Sequence, residues 1–424
     1  MTKMKLKIPF SPPDMSEEEA KEVREAILSG WITTGPRTKK LEAQISEYVG
    51  TVKAVCLSSA TAAMEMMLHL LDVQQEDEVI VPAYTYTATA SVTQHVGCRL
   101  VMVDSQKDNV EMDYEQLEQA ITERTKVIMP VDIAGIVADY DRVYEIVERK
   151  KSLFRPANAL QAKIGRVVVA ADCAHAFGAV RKGKMAGAIA DFSAFSFHAV
   201  KNFTTAEGGA LSWKLPFGNE IVLTNIDYMP AVPKKEGETW NEMLYRISQL
   251  FSLHGQNKDA LAKTKVGMWE YDIIGPWYKC NMTDIMASLG LVQMQRYPKM
   301  LERRQEIVAR YNAALRGLNV AVLNHKDAEH CSSHHLYMVR LPGKSREEVN
   351  RVMEQMAERG IATNVHFKPL PMMTAYKTLG FRIADYPNAY HLFENEITLP
   401  LYTRLTDEEV DYVITNFVDV IRNL

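Results

Sequence analysis

The sequence predicts an α/β fold: a large domain on a mostly parallel sheet flanked by helices, followed by a smaller C-terminal α+β domain. Three observations carry that prediction. Short β-branched runs alternate with helical segments over the first two-thirds of the 424 residues. Strands separated by helices make parallel neighbours with helices on both faces. A long helical stretch beginning near Met282 then leads into a shorter mixed segment. The expected domains are therefore 1–281, with an N-terminal arm, and 282–424, with the linking helix.

The elements follow in chain order. "SEEEAKEVREAILSG" opens on Ser16 as an N-cap, carries Glu19 three residues on and stops at Gly30. "AVCLSS" reads as a strand running into the helix "TAAMEMMLHLL". "EVIVPAY", "RLVMVD", "KVIMPVD" and "RVVVAAD" are buried-strand patterns, each closed by Pro or Asp. "KSLFRPANALQAKIG" reads as a surface insertion before the last of these. "DFSAFSF" is a further strand-like run. "MTDIMASLGLVQMQRYPKMLERRQEIVARYNAAL" is the linking helix, and "TDEEVDYVITNFVDVIRNL" is a terminal one.

Composition narrows the function. The chain is 47% hydrophobic and 24% charged, as in soluble globular proteins, with a net charge of −4 and no basic tract. Nucleic-acid binding thus lacks electrostatic support. Five separated cysteines without a C-x-x-C pair speak against a disulfide framework or a zinc site and for a reducing compartment. The N-terminal stretch turns acidic before an apolar signal region forms, and no apolar run nears the ~20 residues a membrane span needs. A cytoplasmic protein is expected, with no metal.

In a parallel α/β sheet, ligand groups collect at the carboxyl ends of the strands. Four loops supply them here. In "SSATAAMEMM", Ser58 and Ser59 are N-cap types before a helix whose first N–H groups point outward, and Ala60, Ala62 and Ala63 leave room for a phosphate. "PAYTYTATA" offers Tyr84 and Tyr86 as flat faces for an aromatic ligand. "VVVAADCAHAFGA" ends an apolar strand on Asp172, a buried acid in need of a cationic partner, with His175 three residues later. "SFHAVKNFTTAEGGAL" holds Ser196, His198 and Lys201, the last without an acid within five residues. Such a lysine is a candidate amine of lowered pKa. Phosphate site, aromatic face, buried acid and amine together suit pyridoxal 5′-phosphate, whose aldehyde needs a lysine and whose ring nitrogen needs a carboxylate.

These motifs give the chain a resemblance. With "SGWITTGP" (29–36), "SSATAAM" (58–64), "DEVIVPAYTYTATA" (77–90), "DCAHAFGA" (172–179) and "SFHAVKNFTTAEGGA" (196–210), it resembles the DegT/DnrJ/StrS family of sugar aminotransferases nearly end to end. "NMTDIMASLGLVQ" (281–293), "HHLYMV" (334–339), "GIATNVHFKPL" (360–370) and "LPLYTRLTDEEVDYV" (399–413) extend the match. The resemblance implies a fold-type I pyridoxal-phosphate enzyme. Lys201 would condense with the aldehyde and Asp172 pair with the ring nitrogen. Tyr86 would lie over the ring and His175 near its hydroxyl side. Ser59, Ala60, Ser196 and the N–H groups of Thr61 and Ala62 would surround the phosphate. Lys279 in "WYKCNM" stands where the family often has asparagine and would reach the cofactor of the partner subunit in a homodimer. "DIAGIVA" (132–138) also departs from the family's commoner His-Leu-x-Gly-x-x-Ala.

The implied activity is transfer of an amino group, with L-glutamate as the usual donor, to a nucleotide-linked keto-deoxy sugar, for surface polysaccharide or a secondary metabolite. Two rivals are a sugar dehydratase of the same family and a non-catalytic regulatory protein that binds the cofactor. The dehydratases carry histidine at the lysine position, so Lys201 opposes the first. A pure binder has no need of both Lys201 and Asp172. "WITTGP" and "VHFKPLPMM", with His366 and Lys368, are the segments expected to face the sugar or diphosphate. Amination at C3 or at C4, and the nucleotide, stay open at this level.

Overall fold

In the computed structural model, which describes residues 6–257 and 270–424, the large sheet is built from seven of thirteen strands. The first five residues of the N-terminal stretch read above lie outside the described residues. The strands, in chain order, are β1 (Ala54–Leu57), β2 (Glu78–Pro82), β3 (Arg99–Val103), β4 (Thr125–Ile128) and β5 (Val168–Asp172). Then come the short β6 (Val180–Arg181) and β7 (Lys184–Met185), followed by β8 (Phe192–Ser196) and β9 (Gly209–Trp213). The C-terminal part adds β10 (Ala321–Val322), β11 (His330–Cys331), β12 (Tyr337–Arg340) and β13 (Glu396–Leu399).

The large sheet has the order β1-β9-β8-β5-β4-β2-β3. Its pairs from β3 across to β8 are parallel, while β9 runs against both neighbours, β8 and β1. The prediction of a mostly parallel sheet is met. Strand side chains alternate between two cores: Val55, Val79, Val127, Val168 and Phe192 face one, Cys56, Ile80, Ile128, Val169 and Phe195 the other. That period of two places apolar residues on both faces, which is why the strands read as continuous apolar runs.

A third core gathers Tyr337, Val339, Val349, Val352, Ile397 and Phe417 around the sheet β10-β12-β13. The helix Asp284–Leu315 contributes Ala287 and Tyr297 to a core of the large sheet and Ile307 and Tyr311 to this one. Its first residue is locked in place, because the buried Asp284 carboxylate accepts the N–H groups of Gly35, Arg37 and Thr38 at 2.9–3.1 Å. From the N-terminal arm, Ile8 exchanges backbone hydrogen bonds with Gly360 and Ala362 and packs in the third core.

The segment 151–165, expected as a surface insertion, is instead tied in. It forms the helix Ala159–Ile164, buries Leu160, and uses Asn158 and Gln161 to donate to the Leu71 carbonyl at 2.9 and 2.7 Å. The carbonyls at a helix end need such donors, and the amides of a polar-looking stretch supply them.

Candidate active site

Strand direction assembles the site. β1, β2, β5 and β8 run the same way, so Ser59, Tyr86, Asp172 and Ser196 emerge at one edge, where β9 begins at Gly209. A cavity of about 370 Å³ opens there. It is lined by Ser59, Ala60, Thr61, Tyr86, Asp172, His175, Ser196 and Lys201, eight of the ten residues that the resemblance places around the cofactor. Ala62 and Lys279 are not among its lining residues. The Ala62 N–H donates to Ser59 Oγ at 3.0 Å as part of the N-cap of the helix Ala60–Leu70. Lys279 is exposed, and its ammonium meets Asn281 Oδ1.

The helix cap leaves the N–H groups of Ala60 and Thr61 at the cavity. They have no carbonyl one turn earlier to bond, and the positive end of the helix dipole favours an anion there. Gly209 makes this cradle possible. A Cβ on it would lie 2.4 Å from the Ser59 carbonyl carbon, 2.5 Å from the Ala60 nitrogen and 2.6 Å from the Phe195 oxygen.

Asp172 is only 4% exposed. Burial raises its pKa, against which the Thr89 hydroxyl, donating at 2.7 Å, the Ala174 N–H at 3.0 Å and the charge of Lys201 stabilise the anion. Lys201 shows the converse. Burial lowers its pKa to about 8, with Asp172 opposing. No hydrogen bond holds its Nζ among the described residues. An amine so placed is largely unprotonated at mildly alkaline pH.

Besides the exposed His198, three imidazoles line the cavity. His175 Nδ1 accepts from the Ala134 N–H at 3.2 Å, so its other nitrogen carries the proton when neutral. Its ring lies 4.3 Å from that of His335 and stacks on Phe367 at 6.0 Å. His335 is held through Nδ1 by Asn202 Oδ1 at 2.8 Å. Burial and the neighbouring Lys201 push all three rings, His175, His335 and His366, well toward the neutral form. Tyr86 stays 61% exposed at the rim. Lys368 is exposed outside the cavity. Thr89, Asn202, His335 and Phe10, a cavity wall from the N-terminal arm, were not singled out by sequence reasoning. Thr89 lies inside "PAYTYTATA", one helical turn beyond the tyrosines, and its hydroxyl type was the only signal available.

This donor set fits pyridoxal phosphate. It combines an anion cradle, a buried carboxylate lacking a cationic partner in hydrogen-bond contact, and a desolvated amine around one cavity.

The comparisons agree with that fit. Residues 13–418 match the model of the DegT/DnrJ/EryC1/StrS aminotransferase family. Spr1654 of Streptococcus pneumoniae, designated a sugar aminotransferase and solved in a PLP form, is 53% identical with a TM-score of 0.90, over 99% of each chain. PseC of Helicobacter pylori, an aminotransferase of pseudoaminic acid biosynthesis, is 25% identical with a TM-score of 0.83, over 99% of this chain and 100% of its own. The spore coat polysaccharide biosynthesis protein SpsC of Bacillus subtilis is 32% identical over 98% of this chain and 97% of its own.

Proposed function

Because the chain belongs to the DegT/DnrJ/EryC1/StrS aminotransferase family, whose close structural neighbours are sugar aminotransferases that use pyridoxal phosphate, we propose that it aminates a nucleotide-linked keto-deoxy sugar with L-glutamate as donor. The observation that carries this reading is the placement of Lys201 and Asp172 on one cavity beside the helix start at Ala60. SpsC and PseC, named for polysaccharide and for pseudoaminic acid biosynthesis, support a product destined for a surface glycan.

When bound, the cofactor supplies an electron sink for the carbanion that forms when the donor loses its α-proton. The chain's residues do the rest. Ala60 and Thr61 would donate their N–H groups, and Ser59 and Ser196 their hydroxyls, to the phosphate. Asp172, fixed by Thr89 and Ala174, would face the ring nitrogen and keep its proton in place. Tyr86 would cover one face of the ring, and His175 would stand beside its hydroxyl. Lys201 is the amine that would hold the aldehyde carbon. Once displaced by the donor amine, its neutral Nζ would take the α-proton and return it two atoms along, to the carbon it had held, as a base of pKa about 8 can. Lys279 would reach the phosphate of the cofactor held by the partner subunit in a homodimer. Five unpaired cysteines are in keeping with a reducing, cytoplasmic setting. Among the described residues no helix is long and apolar enough to cross a membrane.

The test is a panel of nucleotide keto sugars incubated with L-glutamate and read by mass spectrometry. An amino-sugar product, together with a visible absorption band that bleaches on adding glutamate, is expected. A Lys201→Ala protein retaining more than a few per cent of the parent rate would overturn the assignment.

A further inference from the structure

His366 lines the cavity with only one of its ring nitrogens engaged. Nδ1 lies 2.9 Å from Thr398 Oγ1, and Nε2 has no partner among the described residues. The ring is wedged by Phe10, stacked at 5.6 Å and 21°, so its orientation is fixed. Thr398 and the group behind it do not line the cavity. The engaged edge therefore faces the protein, and the free Nε2 edge faces the cavity.

Behind Thr398 stands Glu396, wholly buried on β13. Glu396 Oε1 lies 2.5 Å from Thr398 Oγ1, and Glu396 Oε2 accepts the His366 backbone N–H at 2.9 Å. Among the described residues no cationic side chain pairs with this carboxyl: the charge of Arg346 favours the anion, but burial outweighs it, and Arg346 spends its donors on the Phe393 and Glu396 carbonyl oxygens and on Asn350. A hydroxyl between two partners can donate to only one of them. If Glu396 is ionised, Thr398 donates to it and must accept from Nδ1–H, leaving a bare lone pair on Nε2. If Glu396 is neutral, it donates to Thr398, Thr398 donates to Nδ1, and Nε2 carries the proton. Burial without a paired cation favours the neutral carboxyl.

We propose that Glu396, held neutral and acting through Thr398, fixes His366 as an Nε2–H donor that binds an acceptor oxygen of the nucleotide-linked sugar. Glu396 and Thr398 are thus positioning residues for substrate recognition. The inference rests on the sugar-aminotransferase reading for the identity of the substrate, but the proton arrangement does not depend on it.

Two measurements separate these. In long-range ¹H–¹⁵N spectra of histidine-labelled, cofactor-loaded protein, His366 is assigned by its loss in His366→Gln, and the nitrogen shifts report its tautomer. The Nε2–H form is expected, and it should persist in Glu396→Gln. There the amide can still donate to Thr398 and accept the backbone N–H. An Nδ1–H form in the parent protein, or a tautomer switched by Glu396→Gln, overturns the proposal. In kinetics, Thr398→Val should raise KM for the keto sugar about tenfold with a smaller change in kcat and none in KM for glutamate. Thr398→Ser should restore it. Equal losses for both substrates would mean that Thr398 serves folding alone. Absence of any sugar amination by the parent, with the tautomer as expected, would reject the substrate reading and leave the relay standing.

Discussion

Gly209→Ala is a sharp test of where the cofactor's phosphate sits. The added methyl meets three backbone atoms, the nearest at 2.4 Å, and ordinary contact starts near 3.4 Å. β9 and the start of the helix Ala60–Leu70 must therefore part by about 1 Å. β9 is bonded on both edges, to β1 through Ala54–Leu57 and to β8 through Phe192–Ser196, so the helix start has to yield. Overpacking of this kind costs about 1–3 kcal/mol of stability. A 1 Å displacement also breaks at least one charge-assisted hydrogen bond to the phosphate, worth about 1.5–3 kcal/mol, which weakens cofactor affinity between about ten- and a hundredfold. The assay is titration of the apoprotein with pyridoxal phosphate by fluorescence, with thermal unfolding followed alongside. An affinity within twofold of the parent, in a protein whose melting point has dropped, would place the phosphate elsewhere.

Three other outcomes are expected. Asp172→Asn should bind the cofactor but lose at least ~10²-fold in kcat, because an amide cannot stabilise a protonated ring nitrogen; an unchanged kcat in steady-state assays would mean another group faces that nitrogen. Only the neutral Lys201 amine attacks an aldehyde, so the rate at which apoprotein captures pyridoxal phosphate should climb with pH and level off above about 8. Burial sets that direction, and Asp172→Asn should move the plateau lower by removing the opposing charge; a rate still climbing tenfold per unit at about pH 9.5 would show an ordinary lysine. Finally, Lys201→Ala and Lys279→Ala chains refolded together should recover about a quarter of the parent activity, since half the dimers are mixed and each holds one intact site. No recovery in verified mixed dimers would remove Lys279 from the partner's site.

The sheet and the ends of its strands were legible because burial on both faces forces continuous apolar runs, and because an acid at the end of such a run stands out. Asp172 stood out in that way, and Lys201 as a lysine without a neighbouring acid after such a run. Gly209–Trp213, reached only by the last residues of "SFHAVKNFTTAEGGAL", was not read as a strand, yet it is the single reversed strand of the large sheet. Five residues with two glycines at the approach carry no sign of direction. His335 was hidden for a different reason. Its contact with His175 is made across Ala134, which donates to His175 Nδ1 and accepts the His335 N–H at 3.1 Å. Nothing local in "HHLYMV" announces that. Glu396 and Thr398 likewise look like ordinary strand residues until the packing removes water from around them.

The reversed strand also bears on how the chain is made. β1 pairs within the large sheet only with β9, so from the emergence of Leu57 until that of Trp213 it has no strand to bond. At about 5–20 residues per second of synthesis, those roughly 150 residues take about 10–30 s. For that interval the nascent chain carries an apolar strand with open N–H and C=O edges, the kind of surface that chaperones bind and that aggregates recruit. The anion cradle matures on the same clock, because Gly209 is the residue that seats the strand against Ser59 and Ala60. No earlier fragment of the growing polypeptide can hold the phosphate as the finished protein does.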